Sequence, residues 1–263
     1  MIKFIKELKS RNGTLFYFGC FCLGISILFL VLTRFTSIQV YSINAWYKPF
    51  KFAFSTFLFS WAMGWYCYYL KSFNTNYFNI SVIVLLGFEI GYIAIQASRG
   101  QLSHYNLSTP FYAALYFFMA LAASLVTLYT AYVGFLFFTN KFPELPDYYV
   151  WAIRFGILIF VIFSFEGFVM GSRLSHTIGG RDGGVGLPVL NWSVQAGDPR
   201  VAHFIGMHAL QVLPIVSFYV FRNIKATIII SFLYLLIVIF TLIQAFRGQS
   251  LFKQNPNHYE IIK

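Results

Sequence analysis

Seven apolar runs divide the chain, at about 15–33, 50–70, 78–97, 111–138, 149–171, 201–221 and 226–246. Each reaches or nearly reaches the ~20 residues that carry an α-helix across hydrocarbon. None shows the alternation over ~10-residue segments that marks membrane strands. The pattern predicts an all-α fold: a polytopic transmembrane helical bundle of about seven spans, without sheet. Residues 1–263 form a single integral membrane domain, because the runs leave no room for a soluble one. One long glycine-rich loop, 172–200, interrupts them.

Helix punctuation agrees with these boundaries. Thr109-Pro110, Asp198-Pro199 and Lys48-Pro49 each place a proline where a helix begins and its missing N–H costs nothing. Pro214 falls inside the run 201–221, where it removes a backbone donor and predicts a kink. Lys3, Lys6, Lys9 and Arg11 precede the first run. That run is too long for a signal peptide, and no cleavage site follows it, so it reads as a retained helix. The basic cluster favours a cytoplasmic N-terminus. The segments 34–49, 98–110 and 172–200 and the C-terminal tail then share the opposite face.

Composition narrows the class further. The chain is 59% hydrophobic and 10% charged, against about 25% charged in soluble domains. Its partner is a lipid bilayer. The net charge of +11 is spread over loops and ends, which fits membrane topology and anionic lipid. No basic helix or aromatic–basic motif points to nucleic acid. Trp46, Trp151 and Trp192 fall near expected helix ends, where aromatic belts form. Cys20, Cys22 and Cys67 lie in apolar runs and read as small hydrophobic residues.

Against this background the ionisable residues stand out, since charge inside a bilayer is costly and marks function. Glu89 and Glu166 lie within apolar runs, and Arg99, His104, Arg173 and His176 follow those runs. Gln96 shares a helix stripe with Glu89, seven residues away. Arg200, His203, His208 and Gln211 fall at the start of the sixth run or inside it. His203 and His208 are five residues apart, about 140° around a helix, so they take two roles rather than ligate one metal. The expectation is a polar site at one membrane face, with Glu89, Arg99, His104, Glu166, Arg173, His176 and His203 around one cavity. The run Gly179–Pro188 lacks the Gly-Lys-Ser/Thr ending of a phosphate loop and reads as a turn folded back over the bundle.

The run ends also repeat. Gln96-Ala97-Ser98-Arg99-Gly100-Gln101 matches Gln244-Ala245-Phe246-Arg247-Gly248-Gln249 at five positions of six. Ser98-Arg99 through Ser103-His104 matches Ser172-Arg173-Leu174-Ser175-His176 after a two-residue deletion.

Several motifs together resemble a family of uncharacterised bacterial multi-pass membrane proteins. They are Gln96-Ala97-x-Arg99-Gly100 with Ser103-His104-x-Asn106, and Asp182-Gly183-Gly184-x-Gly186-Leu187-Pro188. To these add Asn191-Trp192-Ser193, Gly197-Asp198, and Arg200-x-Ala202-His203-Phe204-x-Gly206-x-His208-Ala209-Leu210-Gln211. The resemblance implies a bacterial inner-membrane location and brings no activity with it.

Three chemistries fit the residues. Haem b binding, or a redox role, would use His104, His176 and His203 as metal ligands, with Arg99, Arg173, Arg181 and Arg200 on the propionates. A transporter or receptor for an anionic small molecule or lipid would use the same arginines. A non-haem metal-dependent membrane hydrolase or oxidase would use His and Glu ligands, although no His-x-x-x-His or Glu-x-x-His pattern is present. Whether the chain is an enzyme is left open by its sequence.

Overall fold

The computed structural model describes residues 2–252. Eight α-helices are present among them: α1 (Ile2–Arg11), α2 (Gly13–Phe35), α3 (Tyr47–Cys67), α4 (Thr75–Ser98), α5 (Pro110–Thr139), α6 (Asp147–Arg173), α7 (Arg200–Val216) and α8 (Ile224–Phe246). A π-helical turn, Ser217–Phe221, extends α7. A two-residue antiparallel hairpin, β1 (Gln39–Val40) with β2 (Ile43–Asn44), joins α2 to α3. This hairpin corrects the expectation of no sheet. It lies in a loop outside the apolar runs, where hydropathy carries no information about backbone pairing. Of the C-terminal tail expected on the same face, residues 253–263 lie outside the described residues.

Six described helices are long and apolar enough to cross a membrane, not the seven expected. The difference is α3. It forms as a 21-residue helix, but Lys48, Lys51, Ser55, Thr56 and Ser60 dilute its apolar residues. It still runs the length of the bundle. Lys51 at its start reaches the carbonyl of Leu190, and Tyr69, just past its end, meets Arg11. Its place is held by packing and polar contacts with its neighbours: Trp61 donates to the Phe16 carbonyl at 3.2 Å.

Local chemistry explains where the helices start. Asn12, Asn74, Thr109 and Asn223 each accept a hydrogen bond from a backbone N–H in the first turn of α2, α4, α5 and α8. Pro110 occupies the first position of α5, as its sequence predicts. Helix α3 begins two residues ahead of Pro49, and α7 begins at Arg200, just past Pro199. Asn12 and Asn79 also exchange two 3.0 Å amide hydrogen bonds, tying the start of α2 to α4 in a buried setting.

The largest core cluster gathers Leu15, Met63, Phe78, Phe137, Ile153, Ile157 and Leu210 from α2 to α7. Helices α6 and α7 approach closely through Gly206. A Cβ there would fall 2.3 Å from the Phe163 side chain, so only glycine fits. Pro214 leaves the carbonyl of Leu210, four residues earlier, without its helical donor. The Tyr66 hydroxyl donates to that oxygen at 2.8 Å. Trp46 departs from the expected aromatic belt: it is buried and stacks on Phe29 at 5.5 Å.

Four segments interlock at one end of the bundle: the hairpin, loop 99–109, loop 174–199 and the residues after α8. Ser42 donates to the Gly183 carbonyl, and Ser250 to that of Ser193. Ile178 pairs with Gly197. This is the end where the polar residues were expected.

Candidate functional site

Helix α6 carries Glu166 inward, about two turns before its last residue, and α7 carries His203 in its first turn. The Glu166 Oε2 and His203 Nδ1 atoms are 3.5 Å apart. Both Glu166 oxygens and His203 Nδ1 are buried and lack a well-aligned hydrogen bond. The His203 imidazole lies over Gly167, where an added Cβ would touch its Cε1 at 3.2 Å. One turn on, Gly171 similarly receives the Tyr116 hydroxyl. The two glycines leave a shallow groove on α6, into which one side chain from α5 and one from α7 fit.

Two loop histidines join this pair. His104 lies within electrostatic reach of Lys48, His176 and His203. Burial pushes its imidazole well below the ordinary value, and the charge of Lys48 pushes the same way. Its Nδ1 is 3.2 Å from the Ser103 hydroxyl. The Tyr105 ring stands between the two loop histidines, 6.1 Å from His104 and 4.8 Å from His176. Tyr105 holds a left-handed backbone, φ 61°, which turns its ring into this position.

His176 is fixed by Asp182. Its ring Nδ1 donates to Oδ2 at 2.8 Å and its backbone N–H to Oδ1 at 3.1 Å. Burial lowers the His176 pKa, and the hydrogen bond to Asp182 only partly offsets it. For Asp182, burial alone would raise the carboxyl, but the hydrogen bond and charge of His176 outweigh it and hold the group below its ordinary value.

Arg200 opens α7 and is clamped by Asp198, through Nε at 2.8 Å and Nη2 at 2.6 Å. It also donates to the Asn191 carbonyl. Asp198 accepts in addition from the backbone N–H of Ser193 and of Arg200. From α3, Lys51 donates to the Leu190 carbonyl at 2.7 Å. Lys48, one helical turn earlier, is half-buried and has no ion pair among the described residues. It lies within electrostatic reach of Lys51, Arg200 and Asp182.

The residues expected around one cavity, together with Arg181 and Arg200, therefore divide. His104, Glu166, His176, Arg200 and His203 converge. Arg99, Arg173 and Arg181 are exposed, and none forms an ion pair among the described residues. Each sits at or beyond a helix end, where the long side chain extends into a hydrated layer. Glu89 is buried in α4 with one oxygen unpartnered, and no hydrogen bond or ion pair joins it to the histidines among the described residues. His208 donates to Gln211 at 3.3 Å and packs on Phe204, a separate polar pair along α7.

Gln96 is structural. Its Nε2 caps the Leu102 carbonyl at 3.0 Å, and Gln244 does the same for Ser250 at 3.0 Å. Both helices end on glycines in the left-handed region, Gly100 at φ 65° and Gly248 at φ 72°. The repeated hexapeptide is thus one turn-forming device used twice.

His104, His176 and His203 do not form a metal set. Among the described residues no three His, Cys, Asp or Glu side chains are placed to hold an ion. The three rings are instead engaged at Nδ1 by different neighbours, Ser103, Asp182 and Glu166, and the Tyr105 ring lies between His104 and His176.

Lys48, Lys51, Tyr105, Tyr116 and Asp182 belong to the cluster without having been singled out from the sequence. Two lysines three residues apart at the start of an apolar run were a usable signal for the first two. No protein-family model, curated protein or solved structure matches the chain. The six apolar helices make it a multi-pass membrane protein.

Proposed function

We propose that this protein binds an anionic small molecule or lipid headgroup in the recess framed by Lys48, Lys51, His104, His176, Arg200 and His203. The observation that carries the reading is Lys48. A half-buried lysine without an ion-pair partner has its pKa lowered to about 7 by burial and by nearby Lys51 and Arg200, and an anion joining the three groups offsets that cost and holds Lys48 charged. Lys48, Lys51 and Arg200 face two carboxylates, Asp182 and Asp198, of which Asp198 is taken up by Arg200. Glu166 and His203 engage each other. One positive charge is left to attract a ligand. The exposed Arg99, Arg173 and Arg181 around the same end add a guiding field. Haem is not favoured, because three of the four arginines meant for its propionates, Arg99, Arg173 and Arg181, are exposed and only Arg200 joins the histidines.

The basic residues of α1 support a cytoplasmic N-terminus, which puts the recess on the outer side of the membrane. The motif resemblance supports a bacterial inner membrane as the location.

Thermal unfolding of the detergent-purified protein tests the reading. Inorganic phosphate, sulfate and acetate are compared with chloride at fixed ionic strength. A second arm compares nanodiscs of phosphatidylglycerol with nanodiscs of phosphatidylcholine. The reading expects stabilisation of about 2.7 kcal/mol at a hundred-fold excess over Kd, with Lys48→Gln abolishing it. A free-anion ligand stabilises in the first arm, a lipid headgroup in the second. No stabilisation in either arm overturns the reading.

A further inference from the structure

Residues 186–193 fold back on themselves against Lys51 and Arg200. Gly186 pairs with Ser193, and Leu187 N–H donates to the Trp192 carbonyl at 2.8 Å. The tip of this turn is strained. Val189 has φ 65° and Asn191 φ 57°. A left-handed backbone is unusual for any residue with a Cβ and an outlier for a β-branched one. Such strain persists only where surrounding contacts hold it.

The holding contacts come from the site's own cations. Lys51 donates to Leu190 O at 2.7 Å, and Arg200 to the adjacent Asn191 O. These are two consecutive carbonyls, each satisfied by a full positive charge. A neutral carbonyl is a weaker acceptor for an ammonium or guanidinium than an oxyanion is. The two cations are also close enough to repel one another, with Asp198 between them in charge.

We propose that the carbonyls of Leu190 and Asn191 occupy the places of two ligand oxygens, so that the described state is closed by its own loop. The ligand is an oxyanion with at least two oxygens, such as a phosphate or carboxylate. It displaces the two carbonyls from Lys51 and Arg200 and releases the strained turn. Asp198 keeps Arg200 oriented during the exchange through its two side-chain contacts, and the loop stays attached through Ser193 N–H to Asp198 at 2.7 Å. This rests on the anion-binding reading and adds the atoms that make the exchange.

Hydrogen–deuterium exchange of the intact detergent-purified protein tests it, with inorganic phosphate as the probe and phosphatidylglycerol nanodiscs as the lipid arm. Saturating ligand is expected to speed exchange in peptides covering 186–193 while the rest of the bundle is protected. Lys51→Met is expected to open the turn without ligand and to weaken binding by about ten-fold, the value of one charge-assisted hydrogen bond. Val189→Gly removes the strain and leaves every cation in place. It is expected to favour the closed turn and weaken binding. Ligand binding that leaves 186–193 unchanged or slower, or wild-type affinity in both variants, overturns the exchange while leaving the anion site standing. Absence of binding by every probe removes the anion reading and this inference with it.

Discussion

The Glu166 carboxyl and the His203 imidazole face each other across α6 and α7 at 3.5 Å, in a place where neither has another well-aligned partner. Glu166 is 7% exposed. Removing one member strands the other in an apolar setting. Glu166→Ala is expected to destabilise the protein by about 1–3 kcal/mol, measured by unfolding in mixed micelles. Glu166→Gln keeps an acceptor and costs less. Equal stability of Glu166→Ala and the wild type would show that the pair does not hold α6 to α7.

Tyr66 and Pro214 provide an independent test of how the bundle tolerates its internal proline. Tyr66→Phe leaves the buried Leu210 carbonyl without a donor, a loss of about 1–3 kcal/mol. Pro214→Ala returns the helical N–H to that oxygen. In the Pro214→Ala background Tyr66→Phe is therefore expected to cost much less, and a double-mutant cycle reads the difference. Strict additivity would contradict this account.

The burial of His176, only partly offset by its contact with Asp182, makes the loop sensitive to acid. The His176 pKa lies below its ordinary 6.5, so the open state binds more protons than the closed one just below that pH. Stability of the closed loop is therefore lost as pH falls through the ordinary histidine range. Asp182 is also held below its ordinary value of 3.8. Its contribution has the same sign and is lost at lower pH, as the carboxylate protonates. Trypsin cleavage at the exposed Arg181, with samples returned to one pH after brief exposure, is expected to rise as the exposure pH drops from about 7.5 to about 5. Asp182→Asn should raise cleavage already at neutral pH. A pH-independent cleavage rate in the wild type would rule the contact out as a clamp.

The fold was legible from the apolar runs because a helix in hydrocarbon must satisfy its own backbone, which ties length to hydropathy. The same rule mis-weighed α3, whose Lys48 and Lys51 are sheltered by neighbours rather than by its own composition. Glu166 and His203 were legible because ionisable groups in apolar runs are rare. Arg99 and Arg173 were not, since residues at helix ends are free to turn toward water. The contacts of His176 with Asp182 and of Lys51 with Leu190 depend on how loop 174–199 folds back, and residue spacing does not encode that path. The paired Gln96 and Gln244 turns were visible as a repeat, and their common geometry follows from the shared glycine after each helix.

The central claim is that the recess around Lys48 binds an anion, and calorimetric titration of the purified protein tests it most directly. Inorganic phosphate is titrated in one series and phosphatidylglycerol in mixed micelles in another, each against wild type and Lys48→Gln. The account predicts saturable one-site binding of at least one of them, weakened by about ten-fold or more in Lys48→Gln. Binding of equal strength in the two proteins, or no saturable binding of either ligand to the wild type, would contradict it.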